Sequence, residues 1–245
     1  MNLSVVIPVW NEFETIAVTI DHVRAVLGNV EVIVVDGDPE GSTLKHIRDA
    51  TGVNTMTAPR GRAHQQNAGA RAASGDVVLF LHADTAMPAG AHAAIERVWS
   101  EGAVGGAFGV WFDRPGWVYR AGSQYLTLRS RMNRLPYGDQ AIFLRRDYFN
   151  QVGGFAPVAI MEDVELVRRI RRRGDRLAML PLRVVTSSRR FVAEGLVRRV
   201  LKNIWMTMLY HVGVSPDILI RWYSDSPPSQ PGHHPGDVLP PSDHP

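Results

Sequence analysis

The 245-residue sequence contains no cysteine. That excludes a disulfide framework, a thiolate metal centre and a cysteine nucleophile, and it fits a reducing compartment such as the cytoplasm. Long apolar runs are missing as well: no stretch reaches the roughly 18 residues that a membrane-spanning helix needs. Residues 1–4 carry neither the basic region nor the cleavage site of a secretory leader, so residues 5–9 read as folded structure. Several signatures are also absent. No Gly-x-Gly-x-x-Gly follows the first apolar run, there is no Gly-Lys-Ser/Thr phosphate loop, and no serine stands in a nucleophile elbow. Charge of one sign is scarce too, with a formal net of +3. Such a mild excess leaves nucleic acid, an anionic cosubstrate and a membrane surface open as partners.

What is present reads as a soluble α/β protein. An apolar share of 45% and a charged share of 21% are ordinary for a globular chain, and the length suits one domain with appendages. Residues 3–9, 30–35, 53–57, 77–81 and 104–112 read as strands rich in β-branched residues. Between them, Phe13, Ile16, Ile20, Val23 and Leu27 recur at helical spacing, and 62–73 forms an alanine-rich helix. This alternation predicts a mostly parallel central sheet flanked by helices. Beyond residue 112 the pattern is less regular. It predicts a helix over 118–131, a short strand over 141–144, a turn at Gly153-Gly154-Phe155 and a basic helix over 162–173. A last strand over 184–188 and one long helix over 191–210 follow. The expected division is a catalytic domain over 1–190, with a nucleotide half to about 112, then a helical extension over 191–223. The segment 224–245, rich in Pro, Ser, His and Gly, is expected to be a disordered tail.

In an open α/β sheet, ligands collect at the carboxyl ends of the strands. Here the first strand ends in Pro8-Val9-Trp10-Asn11-Glu12, the second in Asp36-Gly37 and the fourth in His82-Ala83-Asp84-Thr85. A single acid after a strand is more often a turn or a helix cap than a ligand. Acids at matching ends of successive strands favour a nucleotide and metal site.

These segments resemble the family 2 glycosyltransferases, whose fold is the GT-A nucleotide-diphospho-sugar transferase type. The resemblance rests on Ser4-Val5-Val6-Ile7-Pro8-Val9-Trp10-Asn11-Glu12, Val34-Val35-Asp36-Gly37 and Arg62 with Asn67-Ala68-Gly69. It continues through Ala73-Ser74-Gly75-Asp76 and Leu79-Phe80-Leu81-His82-Ala83-Asp84-Thr85. Gly138-Asp139-Gln140, Gly153-Gly154-Phe155 and Glu162-Asp163-Val164-Glu165 then match the acceptor-side motifs in order. The match covers about residues 3–190. Gly138-Asp139-Gln140 together with Ser187-Ser188-Arg189-Arg190-Phe191 is similar to a small bacterial subgroup associated with arsenosugar biosynthesis.

The resemblance implies a metal-dependent, inverting transfer of a hexosyl-type group from a nucleotide diphosphate, of the uridine type, to an acceptor hydroxyl. Asp84 matches the metal ligand, a hard oxygen donor suited to Mg²⁺ or Mn²⁺. His82 stands where the family usually has Asp. It either ligates, favouring Mn²⁺, or bonds the ribose or phosphate, or is a structural strand-end histidine. Asp36 matches the acid that bonds the nucleobase, with backbone from Pro8, Trp10 and Asn11 in support and Ala83 beside the nucleotide. Glu12 touches base or ribose, or only starts the first helix, where the dipole favours an acid. Arg62 reaches base or phosphate, or is an exposed helix-start residue. Asp163 matches the catalytic base, and Glu162 supports it; the bland reading has both acids capping the basic helix. Gly138, Asp139 and Gln140 border donor sugar or acceptor. Arg189 and Arg190 bind the diphosphate or form a solvated basic pair.

Other classes stay open at this level: a nucleotidyltransferase, or a non-catalytic nucleotide-sugar sensor on a related scaffold. Nucleic acid is not expected, because aromatic residues are not interleaved with the basic ones. Residues 196–206 are basic and amphipathic. They read as a core-packing helix with a solvated face, or as a peripheral contact at the inner face of a membrane for an otherwise cytoplasmic protein. The sequence leaves the oligomeric state open.

Overall fold

β-Branched runs build the centre of the molecule. In the computed structural model, which describes residues 1–47, 51–133 and 135–223, Leu3–Val9 (β1), Glu31–Asp36 (β2), Val53–Thr57 (β3) and Val77–Phe80 (β4) lie parallel. The sheet continues through Thr85–Ala86 (β5), Gly105–Phe112 (β6), Phe143–Arg145 (β7) and Ala178–Thr186 (β8) in the order β3-β2-β1-β4-β7-β6-β8-β5. β7 runs antiparallel to β4 and β6, and β5 antiparallel to β8. The sheet is thus mostly parallel, as expected. The expected tail, 224–245, lies outside the described residues.

Successive side chains of a strand point to opposite faces, and β1 shows the consequence. Val5, Ile7 and Val9 join one apolar layer with Ile16–Leu27 (α1). Val6 joins the other, against Arg62–Ala72 (α2). Gly69 of α2 permits the close approach on that side: a Cβ there would lie 2.4 Å from Val6 Cγ1. Asn67, two residues earlier on α2, pairs with the backbone of Phe155, donating to its carbonyl (2.8 Å) and accepting its N–H (2.9 Å). Asn67-Ala68-Gly69 and Gly153-Gly154-Phe155 are therefore two halves of one structural contact.

Several sequence expectations need correction. Phe13 does not share the buried stripe of α1; it precedes the helix, is exposed and stacks on His46. The helices Ala91–Ser100 (α3) and Arg146–Gln151 (α5) were not anticipated. The last strand begins six residues earlier than its apolar core, at Ala178 instead of 184. The single helix expected over 191–210 is broken at Gly195, whose φ of +83° no helix interior accommodates. It becomes Arg189–Glu194 (α7) and Leu196–His211 (α8), with Pro216–Tyr223 (α9) after them.

The helix Trp117–Asn133 (α4) is unusual in its orientation. β7 pairs with β6 only at Gly105 and Gly106, which leaves the Val110–Phe112 edge without a strand neighbour on that side. Hydroxyls of α4 fill in. Thr127 Oγ1 accepts from Val110 N (3.1 Å) and donates to its carbonyl (3.2 Å), and Ser123 Oγ accepts from Phe112 N (3.1 Å). Buried backbone groups must find partners, so the polar side of α4 turns inward. Glu162–Arg172 (α6) completes the layer that carries Val164, Val167 and Ile170 inward, as the periodicity predicts.

Gly69→Ala should destabilise the protein. Alanine gains up to about 1 kcal/mol of helix propensity over glycine, but overpacking against Val6 costs typically about 1–3 kcal/mol. Urea unfolding should show a net loss; a stabilised variant would contradict the close approach.

Candidate functional site

Three groups of side chains occupy the loops beyond β1, β2 and β4. The first holds Trp10, Asp36 and two residues the sequence reading missed, Arg60 and Gln65. Gln65 Nε2 donates to the carbonyls of Val9 (2.7 Å) and Val35 (2.9 Å), tying the ends of β1 and β2 together. Asp36 is fully buried. Its Oδ1 accepts from Asp38 N (3.0 Å) and its Oδ2 from Thr43 N (2.8 Å), so the carboxylate shapes its own loop. Trp10 is partly exposed, and the Arg60 guanidinium lies 4.1 Å from its ring centroid. Pro8 belongs to β1 and faces Val35 across the ladder.

The second group is a cation held between acids. Arg189 Nη2 lies 3.3 Å from Asp84 Oδ2 and 3.6 Å from Glu12 Oε2. Its Nε donates to Ser187 Oγ (3.1 Å), and Ser187 N donates to the Asp84 carbonyl (3.2 Å). Glu12 also accepts from Thr15 Oγ1 (3.0 Å). Ala83 contributes backbone only; its carbonyl accepts from Thr19 Oγ1 (2.5 Å) and its side chain is buried in the core. The side chain of Arg190 lies outside the described residues.

The third group is acidic. A methyl group at Gly138 would meet Asp163 Oδ2 at 3.2 Å and His82 Nε2 at 3.4 Å, which places His82 among the second-half motifs. Gly138 N donates to Asp163 Oδ2 (2.5 Å), and Val164 N donates to Asp163 Oδ1 (2.7 Å). Arg62 approaches this cluster, with Nη1 3.9 Å from Glu162 Oε1, and not the loop of Trp10. Sequence alone could not separate Arg60 from Arg62, which stand two residues apart. Burial, then the charge of Asp163, pushes the Asp139 carboxyl up to about 6, against the pull of Arg129 and Arg62. Glu162 is buried and shifted upward for the same two reasons, with Arg62 opposing. Gln140 is buried and consumed by its surroundings: it accepts from Ser130 Oγ (2.7 Å) and Tyr137 N (3.0 Å) and donates to the Phe108 carbonyl (2.9 Å).

Backbone strain marks the same places. Among the described residues, the non-glycine positions with positive φ are Asn11 (54°), Ala141 (46°) and Met161 (66°). Each adjoins one of these loops. Such conformations cost of order 1–3 kcal/mol and persist where the surroundings over-determine them, typically at functional sites.

The donor set fits a cation shared with a phosphate ligand. Asp84 and Glu12 already converge on one positive group, and oxygen donors suit hard divalent ions. Among the described residues no three His, Asp or Glu side chains form a self-sufficient metal cage. An ion here would complete its shell with diphosphate oxygens and water, as Mg²⁺ commonly does.

Comparison with known proteins decides the family. The model described as "Glycosyl transferase family 2" matches residues 4–160. The chain belongs to glycosyl transferase family 2. Among solved structures it is similar to the mannosyltransferase PcManGT from Pyrobaculum calidifontis in complex with GDP-Man and Mn²⁺. The two are 23% identical with a TM-score of 0.61, over 83% of this chain and 64% of that one. S. aureus TarS is 15% identical with a TM-score of 0.60, over 85% and 40%. TarS 1–349 in complex with UDP gives 15% and 0.59, over 85% and 66%. At these identities the likeness shows the GT-A fold; the chain spans less than two thirds of PcManGT and of TarS. Among curated proteins, none matches in sequence.

The acidic group predicts a pH dependence of stability. Carboxyls whose proton affinity is raised by folding contribute most below their unfolded titration range, and lose that contribution as pH rises through the folded one. Glu162→Gln removes the ionised form's burial. Thermal scans from about pH 5 to about pH 8 should show the variant gaining on the wild type as pH rises. A difference independent of pH would contradict the shift.

Proposed function

We propose that the chain transfers a glycosyl group with inversion from a uridine-type nucleotide-diphospho-sugar to an acceptor hydroxyl, with Asp163 as base. The observation that carries this reading is that the strand end His82–Asp84 touches two groups of opposite need. Arg189, Asp84 and Glu12 provide cation chemistry for a diphosphate. Beside them, Asp163 is held by the Gly138 N–H next to His82. The nucleotide half, 1–112, would hold the donor, and 113–190 the acceptor. Residues 196–206 would supply a peripheral contact with the inner face of a membrane. The subgroup resemblance puts arsenosugar precursors first in an acceptor screen.

The reaction joins the acceptor oxygen to the anomeric carbon as the bond from that carbon to the diphosphate oxygen breaks. The acceptor proton passes to Asp163, and the electron pair leaves with the diphosphate. The transition state is oxocarbenium-like, with negative charge growing on the leaving group. Arg189 can exchange its carboxylate partners for that charge, an electrostatic contribution that strengthens in a water-poor site. A divalent ion held by Asp84, with His82 nearby, would neutralise diphosphate charge when bound. Trp10, stacked with Arg60, offers a face for the base, above the loop that Asp36 shapes. At neutral pH Glu162 and Asp139 take up protons more readily than ordinary carboxyls, which spares Asp163 part of the repulsion between three acids.

Calorimetric titration with uridine, thymidine, guanosine and cytidine diphosphates, with and without Mn²⁺, tests the donor side. Asp84→Ala should lose the metal-dependent part of the affinity, and uridine should lead the series. Unchanged metal dependence in the variant, or indifference to the base, would count against these assignments.

For the base, Asp163→Asn should bind donor nucleotide normally and lose transfer by roughly 10²–10⁴-fold, the usual worth of general-base catalysis. Glu162→Gln should be milder. Near-normal turnover in Asp163→Asn, or a product that keeps the donor's anomeric configuration, would overturn the role.

A further inference from the structure

Large apolar side chains exposed on the described residues are concentrated in the second half of the chain. Apart from Trp10, Phe13 and Val18, all of them lie between Trp117 and Trp222. They follow helical spacing. On α8 and its cap, Leu201, Trp205, Met208 and Val212 are four, three and four residues apart, and each is more than half exposed. On α4, Trp117, Tyr125, Leu128 and Met132 form a second exposed stripe, because the hydroxyls of that helix are drawn to the edge of β6. α9 adds Ile218 and Trp222, one turn apart. Half of the chain's six tryptophans are exposed on these helices.

The helices are neighbours. Phe112 meets Tyr119 of α4 (6.3 Å between centroids) and Phe191 of α7 (4.5 Å) edge to face. Tyr137 lies under Arg129 of α4, 3.9 Å from guanidinium to ring, and its hydroxyl interacts with Thr207 of α8. The charge on α4 and α8 has one sign, while α9 carries Asp217 with Arg221. α4 carries Arg120, Arg129 and Arg131, and α8 carries Arg198, Arg199 and Lys202; neither holds an acid. Where α8 ends, His211 joins Arg168, Arg171 and Arg172 of α6 around a cavity of about 330 Å³ floored by Leu135 and Val164. Among the described residues no helix is long and apolar enough to cross a bilayer.

We propose that α4, α8 and α9 form one surface that docks on an anionic lipid membrane. Tryptophan and apolar stripes would enter the interface, and Arg120 and Arg131 of α4, Arg198 of α8 and the arginines of the α6 cavity would meet lipid phosphates, Arg199 being buried. The occupant follows from the charge. A symmetric pairing of two copies places like patches face to face, and these helices would then oppose cation to cation. An anionic bilayer offers the opposite charge over an apolar interior, where each nearby cation is worth about fivefold in partitioning. Tryptophan prefers that boundary because its ring is apolar and its N–H is not. The inference rests on the contact proposed for 196–206 and extends it to α4; it does not depend on the transfer chemistry.

The test is co-sedimentation of the full chain with phosphatidylglycerol-rich and with pure phosphatidylcholine vesicles, at low and high salt. Wild type should bind the anionic vesicles at least tenfold more tightly than the neutral ones, release in high salt and shift its tryptophan emission to the blue. Trp117→Glu and Trp205→Glu, at exposed positions, should each weaken vesicle binding at least tenfold while thermal midpoint and diphosphate affinity stay unchanged. No binding of wild type to anionic vesicles, or equal binding to neutral ones, overturns the proposal. Full binding by Trp117→Glu alone removes α4 from the surface. A stable dimer that both substitutions dissolve shows instead that the stripes join copies of the chain. Loss of diphosphate affinity in wild type would tell against the donor site and leave this surface standing.

Discussion

Negative charge gathered at the carboxyl ends of parallel strands is the constraint on which the rest of the molecule turns. Glu12 and Asp84 form one acidic group and Asp139, Glu162 and Asp163 another, and every one of these charges must be offset. Arg189 does this for Glu12 and Asp84, backbone N–H groups do it for Asp163, and Arg62 with a raised proton affinity does it for Glu162 and Asp139. A protein evolved only for stability would dilute these acids. Their concentration makes sense where a cation and a diphosphate complete the charge balance.

The strained backbone positions follow from the same demand. To bring acids from loops far apart in sequence together, the chain turns sharply at Asn11, Ala141 and Met161, in conformations that side chains ordinarily avoid. The surroundings hold them there: Gln65 ties β1 to β2, Gln140 braces its turn from three sides, and Asn67 fastens the loop at Phe155. Family motifs at these positions make structural contacts that hold the loops in place. Asp36 also shapes its own loop, accepting from Asp38 N and Thr43 N.

Filling the free edge of β6 has a second consequence, on the outside. Because α4 turns its hydroxyls inward, its apolar residues face solvent next to the similarly exposed stripe of α8. One local need, pairing the backbone of Val110 and Phe112, thereby produces a surface whose composition suits a lipid boundary better than water.

The sequence by itself determined the alternation of strands and helices through residue 81, the strand before residue 112, the mostly parallel sheet and the acidic strand ends, though not α3 or β5. Those depend on local periodicity and on residue types at the ends of apolar runs. It also carried the ordered motifs by which the family is legible. Only the tertiary structure decided where the charged side chains go: Arg60 to Trp10, Arg62 to Glu162, and Arg189 between Glu12 and Asp84. Long flexible side chains reach partners distant in sequence, and spacing does not encode that choice. The same holds for α4. Periodicity tells which residues share a face of a helix, but the hydrogen-bonding needs of a neighbouring strand decide which face turns inward.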